Sequence, residues 1–277
     1  MTAPKIARLR SRGLVAVRGA DARRFLQGLL TQEVETLAAG EHRYGALLTP
    51  QGRLLFELFL VGQTDAVLLE VADAQRHALA QRLSLYKLRA KVEIEAAEGA
   101  VFALWDTDQA APPWAPDPRL PALGFRAVGF DAPSAPGAVE ADEEAYDAHR
   151  LGHGVVDAGR DVLAENTYPI EANLDLLNGI DFRKGCFIGQ ETTSRMKRRG
   201  QVRSRLLPLS LEGPTPEPGA EVLAGALRAG EVVGGRDGRA LALLRLDRVA
   251  GAELMVGGRP ARTEIPDWLA AATVEQK

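Results

Sequence analysis

The sequence predicts an α+β protein built as three successive units, the last of them a small β-barrel. Three observations carry this. Over the first 98 residues, short apolar runs of period two alternate with stretches of helical period. A middle stretch, DQAAPPWAPDPRLPAL (108–123), holds five prolines and can be neither helix nor central strand. After residue 203 the chain becomes short apolar strands punctuated by glycine and proline at nearly regular spacing.

The elements follow in order. GLVAV (13–17) is a strand, and Asp21 is placed to cap a helix through FLQGLL, where Phe25, Leu26, Leu29 and Leu30 share a face. RYGALL (43–48) and RLLFELFLV (53–61) flank the turn formers Thr49, Pro50, Gln51 and Gly52, which predicts a hairpin. DAVLLEV (65–71) adds a strand, residues 73–89 are spaced as a helix, and KVEIEA (91–96) alternates as a half-buried strand does. Residues 1–98 thus read as helices on a mainly antiparallel sheet.

The second unit, 99–202, opens with VFALW, breaks at the prolines and resumes at GFRAVGF (124–130). DEEAYDAHRLGHG (142–154) has the acidic start and glycine end of a helix. The unit closes on KGCFIGQE (184–191) and its continuation. In the third unit, 203–277, LLPLSL, EVLA, GEVVGG, RALALLRL and ELMVGG supply the barrel strands.

Composition narrows the function. At 46% hydrophobic and 26% charged, with a mean hydropathy of -0.11, the chain can bury a core without covalent staples. Its single cysteine excludes an intrachain disulfide, a multi-cysteine zinc site and a cluster held by four thiolates of one chain, and it points to a reducing compartment. Lys5, Arg8, Arg10 and Arg12 interrupt the N-terminus before an apolar leader develops, and no apolar run approaches the roughly 18 to 20 residues that span a bilayer. The expectation is a cytoplasmic protein without membrane attachment. A net charge of -3 offers no bulk attraction to nucleic acid.

The one thiol is the sharpest candidate. Arg183 and Lys184 precede Cys186, and Gly189, Gln190 and Glu191 open a helix whose free amides point back at it; both features favour a thiolate. The plain alternative is a small buried hydrophobe beside Phe187 and Ile188. Gly185 and Gly189 would let the backbone approach a ligand closely. Further on, Arg195, Lys197, Arg198, Arg199, Arg203 and Arg205 form a basic run suited to phosphates or a polycarboxylate tail, or to a solvated linker. That run has no interleaved aromatic on which bases could stack. His149 and His153 share a helix face in the spacing of a zinc-binding HExxH, without its glutamate. Neither a P-loop, a dinucleotide fingerprint nor a nucleophile elbow is present.

FLQGLLTQEV (25–34), RYGALLTPQGRLLFELFLV (43–61) and YPIEANLDLLNGIDF (168–182) resemble segments of the YgfZ family of folate-binding proteins, relatives of the glycine-cleavage T-protein (aminomethyltransferase). KGCFIGQE is the most specific piece, because lysine-glycine-cysteine before Phe-Ile-Gly marks the YgfZ branch. The resemblance covers almost the whole chain. It implies a three-domain T-protein-like ring around a folate-sized hole, with mixed and antiparallel sheets covered by helices and a C-terminal barrel. It also implies a folate-binding accessory factor that supports assembly or repair of iron-sulfur clusters in client enzymes, tRNA-modifying radical enzymes among them. On that reading Cys186 contacts a cluster or a reactive species, Lys184 favours its thiolate, and Gln190 and Glu191 hold the loop or its ligand. Gly185, Gly189 and Arg195 stand on the cofactor side.

The implied cofactors are tetrahydrofolate or a derivative and a transient iron-sulfur cluster. One thiol supplies only part of a cluster's ligand set, so the cluster would be shared with a client or scaffold protein or a small thiol. Two departures matter. Where T-proteins carry an Asp-Asp pair, this chain has Phe56 and Glu57, and around GFRAVGF there is no counterpart of the acid that holds the pterin. The alternatives are a tetrahydrofolate-dependent aminomethyltransferase, which the missing pair argues against, and an RNA-binding module using residues 195–205.

Overall fold

The computed structural model describes residues 3–163, 165–200 and 202–273. They form two five-stranded sheets and a closed six-stranded barrel. The chain enters as β1 (Lys5–Leu9) and β2 (Arg12–Arg18), followed by helix α1 (Ala22–Gln27), β3 (His42–Leu48), β4 (Leu54–Gly62), β5 (Ala66–Ala72), α2 (Arg76–Ser84) and β6 (Glu93–Ala97). The first sheet has the order β3-β4-β5-β2-β6, with every neighbour antiparallel. β4 and β5 are buried along nearly their whole length because both faces are covered, whereas the edge strand β6 is largely exposed. Along β4, Phe56, Leu58 and Leu60 join α1 and α2 in an outer cluster, while Phe59 packs into a central one with Tyr44, Ala46 and Leu48.

The second sheet takes β7 (Ala100–Trp105), β8 (Ala115–Pro116), β9 (Phe125–Gly129) and β10 (Val139–Glu140), in the order β10-β1-β7-β9-β8. A division at residue 98 therefore needs correction at its N-terminal end. The first strand pairs antiparallel with β7 and parallel with β10, so residues 5–9 belong to the second sheet. The sheet is mixed for the same reason. Helix α3 (Glu143–Gly152) follows, capped by the Asp142 carboxylate, which accepts from Ala145 N at 2.8 Å.

Two helix expectations shift. The helix expected over 73–89 is a 3₁₀ turn, Asp73–Gln75, followed by α2, which stops at Ser84. There the Ser84 hydroxyl donates to Ala80 O at 2.8 Å, and Leu88 adopts a left-handed φ of 42° that no helix continues. Asp21 does not cap α1 with its side chain; that carboxylate accepts from Lys91 N at 2.8 Å.

Between α3 and helix α4 (Gln190–Arg199), the described residues contain neither helix nor strand. They are still core: Ile170, Leu174, Leu177 and Ile180 are buried in the central cluster, joining Tyr44 and Phe59 of the first sheet to Leu206 and Leu241 of the barrel. The barrel comprises β11 (Ser204–Leu211), β12 (Glu221–Ala224), β13 (Leu227–Arg236), β14 (Arg239–Arg245), β15 (Leu254–Val256) and β16 (Arg259–Thr263), with the short α5 (Leu246–Val249) and α6 (Asp267–Thr273). No described helix is long and apolar enough to cross a membrane.

Candidate functional site

The motif loop is fixed by its neighbours and leaves its thiol free. Asp181 starts it: Oδ1 accepts from Arg183 N at 2.8 Å and Lys184 N at 3.3 Å, an Asx-type turn that aims the lysine inward. Lys184 is buried and its ammonium donates to three backbone carbonyls, Gln27 O at 2.8 Å, Leu30 O at 2.7 Å and Gln32 O at 2.7 Å. These carbonyls lie at and just beyond the end of α1, where a cation suits the exposed C=O groups. Burial pushes the Lys184 ammonium down to about 8, opposed by Glu33 and Asp181. Thr31 locks the same junction, donating to Gly179 O at 2.6 Å and accepting from Ala46 N at 2.8 Å.

The lysine is therefore a clamp between the motif and the 27–32 turn. All three of its protons lie on carbonyls, so the expected partnership with the Cys186 thiolate is not the one Lys184 makes. Phe187 and Ile188 complete the anchoring by packing in opposite directions around the edge strand β3. Phe187 is buried in the central cluster, and Ile188 packs on the outer one.

Gly189 holds the next bend at φ 80°. A Cβ there would lie 2.7 Å from Thr49 O and 2.8 Å from Gly52 Cα, so this glycine serves a backbone-to-backbone contact with the hairpin turn rather than with a ligand. Gly185, by contrast, faces open space.

Between these anchors, Cys186 is exposed and unpaired. The buried-hydrophobe alternative is set aside by that exposure. Among the described residues, Gln190, Glu191 and Arg195 make no side-chain hydrogen bond, so the loop is held by Asp181, Lys184 and Thr31 instead. The basic run divides. Arg205 is buried on Asp175, Asn173 and Ile170 O, and Lys197 lies 5.3 Å from the Phe182 ring centre, while Arg195, Arg198, Arg199 and Arg203 are exposed. His149 and His153 meet edge to face with ring centres 4.8 Å apart, and His149 Nε2 is 3.1 Å from Ala122 O. Among the described residues no three His, Cys, Asp or Glu side chains gather as a metal site.

The inner face of the first sheet is a different environment. Glu57 is buried; its Oε1 accepts from Tyr44 OH at 2.9 Å, and its Oε2 accepts from Ala158 N at 2.7 Å and pairs with Arg12 at 3.4 Å. Glu70 Oε1 accepts from Arg12 Nε at 2.9 Å and from Arg126, and Asp117 grips Arg119 with both oxygens at 3.0 and 2.8 Å. Arg126, Arg119 and Arg12 stand 4.0, 4.8 and 5.3 Å from the centre of the Phe59 ring. Burial opposes ionisation of Asp117 and Asp157, yet the facing guanidiniums hold both carboxyls below the usual range.

A pterin edge asks for a carboxylate with both oxygens free to accept. Each oxygen of Glu57 and of Asp117 already accepts from a protein donor, and only Glu70 Oε2 is without a partner. Committed to arginine, tyrosine and backbone donors, these carboxylates do not fit tetrahydrofolate in the T-protein manner.

The fold defines a class. Superposition on the glycine cleavage system aminomethyltransferase T from Bartonella henselae gives a TM-score of 0.74 at 18% identity, over 94% of this chain and 84% of that one. The molecule is T-protein-like in fold. The profile of the CAF17 C-terminal β-barrel domain matches residues 203–271. In sequence, the chain is 34% identical to the human mitochondrial iron-sulfur cluster assembly factor IBA57, covering 94% of this chain and 84% of that protein. The chain belongs to the YgfZ/IBA57 family.

The mitochondrial IBA57 homologue of Neurospora crassa is also 34% identical, over 76% of this chain. The chain spans 55% of the length of that relative and 59% of its Mycosarcoma maydis counterpart. One expectation is overturned here. These relatives are named as mitochondrial proteins, which points away from the cytoplasm. A single thiol speaks to redox state and does not separate one reducing compartment from another.

Proposed function

We infer that this protein is an iron-sulfur cluster assembly factor in which Cys186 supplies one thiolate to a cluster shared with a client or scaffold protein. The observation that carries this is the contrast within eight residues. Lys184, Phe187, Ile188 and Gly189 are each pinned, and the thiol between them is exposed. A rigid loop that presents a lone sulfur outward suits transfer between chains, because the remaining ligands must come from a partner or a small thiol. The relatives' designation as iron-sulfur cluster assembly factors supports the same reading.

The aminomethyltransferase alternative is weakened further, since the one carboxylate at the Asp-Asp position, Glu57, is buried and engaged by Arg12, Tyr44 and Ala158 N. An RNA-binding role loses Arg205 to the core. Folate rests on the fold's relationship alone.

The test is Cys186→Ala in cells lacking the native gene, reading the activity of a cluster-dependent enzyme alongside the variant's melting curve. Loss of rescue by a protein that melts normally supports the thiol's role. Full rescue sinks it.

A further inference from the structure

Helix α2 buries one apolar face, and two exposed leucines follow its C-terminal end. Leu79 and Leu83 are buried in the outer cluster of the first sheet, which accounts for the inner face. On its outer side Ala78 is exposed, and past the helix end at Ser84 so are Leu85 and Leu88; Leu85 is 70% exposed and Leu88 91%. Leu88 is doubly unfavourable where it stands, since a leucine gains nothing from water and is strained at a φ of 42°. Beside Leu85 lies an open groove of about 760 Å³ lined by Phe56, Ala78, Gln81, Arg82, Leu85 and Ile94.

Charge says what would lie there. From residue 74 to residue 92 the chain has Arg76, Arg82, Lys87, Arg89 and Lys91 and not one Asp or Glu, in a protein whose net charge is -3. Arg82, Lys87, Arg89 and Lys91 are all exposed. We propose that α2, the turn after it and this groove form a docking surface for an acidic amphipathic helix of a partner protein, its apolar side chains on Leu85, Leu88 and Phe56 and its carboxylates on the flanking cations.

A helix fits better than an added strand. The free sheet edge nearby is β6, where exposed Glu93 and Glu95 would repel an acidic strand. A protein fits better than a bilayer, because an open groove that mixes Phe56, Ala78 and Leu85 with Gln81 and Arg82 is matched by side chains of both kinds. The surface is independent of the role inferred for Cys186. The two are linked only through the outer cluster that Phe56 and Ile188 share.

The experiment uses the whole protein and three defined probes: a fluorescein-labelled helical peptide of leucine and glutamate, the same peptide with lysine for glutamate, and vesicles containing about one-third anionic phospholipid. Anisotropy measures binding, and hydrogen exchange locates it. The acidic peptide is expected to bind saturably, protect amides between residues 78 and 90, and weaken as salt rises. Leu85→Ser with Leu88→Ser, and separately Arg82→Glu with Lys87→Glu, are each expected to weaken it at least about tenfold without moving the melting curve, since all four side chains are exposed. No saturable binding, equal binding of the lysine peptide, or binding that survives both double variants overturns the proposal. Vesicle binding lost in the leucine variant, with no peptide binding, overturns it in favour of a membrane face.

Discussion

The centre of the molecule and the Cys186 loop are both rich in groups that could do chemistry, and they use them in opposite ways. At the centre, Arg12, Arg119 and Arg126 meet Glu57, Glu70, Asp117 and Asp157 at near-zero exposure, each charge facing an opposite one. At the loop one thiol stands in solvent beside a lysine whose protons are engaged by carbonyls. Density of ionisable groups therefore marks the joint between the two sheets, whereas exposure on a fixed backbone marks the candidate site. Buried ion clusters hold such a joint in one geometry, and each member is costly to remove alone.

The largest effect is expected from breaking that joint. Arg126→Leu leaves Glu70 with Arg12 as its sole ionic partner and withdraws a donor from Tyr146 OH, 3.2 Å away. We expect a loss of about 3 to 5 kcal/mol, measured by denaturant unfolding. A loss below about 1 kcal/mol would place the joint's stability in its apolar contacts instead.

Next comes the clamp. Lys184→Met keeps the length of the side chain and leaves Gln27 O, Leu30 O and Gln32 O without their donor. We expect roughly 2 to 3 kcal/mol of destabilisation, with hydrogen exchange faster across 181–189. If the lysine instead served only the thiol, stability would hold and thiol alkylation rates would change.

Acid probes the joint from another side. His42 lies on β3 against Glu70, Asp117 and Arg126, and burial pushes it down to about 4. Between pH 6.5 and about 4 the unfolded chain binds a proton that the folded chain refuses, so stability falls as pH drops through that window. The span corresponds to roughly 3 kcal/mol at full titration. His149, also pushed down to about 4 by burial, adds to the same limb. His42→Leu should flatten part of it in a pH series of melting curves; an unchanged slope would show His42 free to ionise.

These features differ in how far a sequence reveals them. The first sheet's hairpin and the barrel strands were legible because periodicity and turn residues report local backbone. The pairing of β1 with β7 was not, since KIARL has no mark that says which sheet it joins. Arg12, Arg119 and Arg126 were invisible for a related reason: long-range ion pairs link residues up to 145 positions apart, as Arg12 and Asp157 are. Cys186 stood out as a lone thiol in a specific motif, yet composition could not say whether it was buried. The partner of Lys184 was not legible either. Proximity in sequence suggested the thiol, and folding brought it the end of α1.

The smallest expected effect on stability is at the thiol itself, and that is what makes it informative. Cys186 is exposed and donates nothing to the packing on either side, so Cys186→Ser should change the unfolding free energy by less than about 0.5 kcal/mol. Gly189→Ala, three residues on, should cost several times as much, because the left-handed φ of 80° and the 2.7 Å approach to Thr49 O both resist a side chain. The pair separates presenting the sulfur from being it. Failure of Cys186→Ser to support a cluster-dependent enzyme, at wild-type stability, places the function on sulfur. A Gly189→Ala protein that folds, keeps its thiol and still fails would place it on the loop's geometry as well. Were Cys186→Ser destabilised as strongly as Gly189→Ala, the thiol would belong with the buried joint as a structural group, and the contrast between the two regions would collapse.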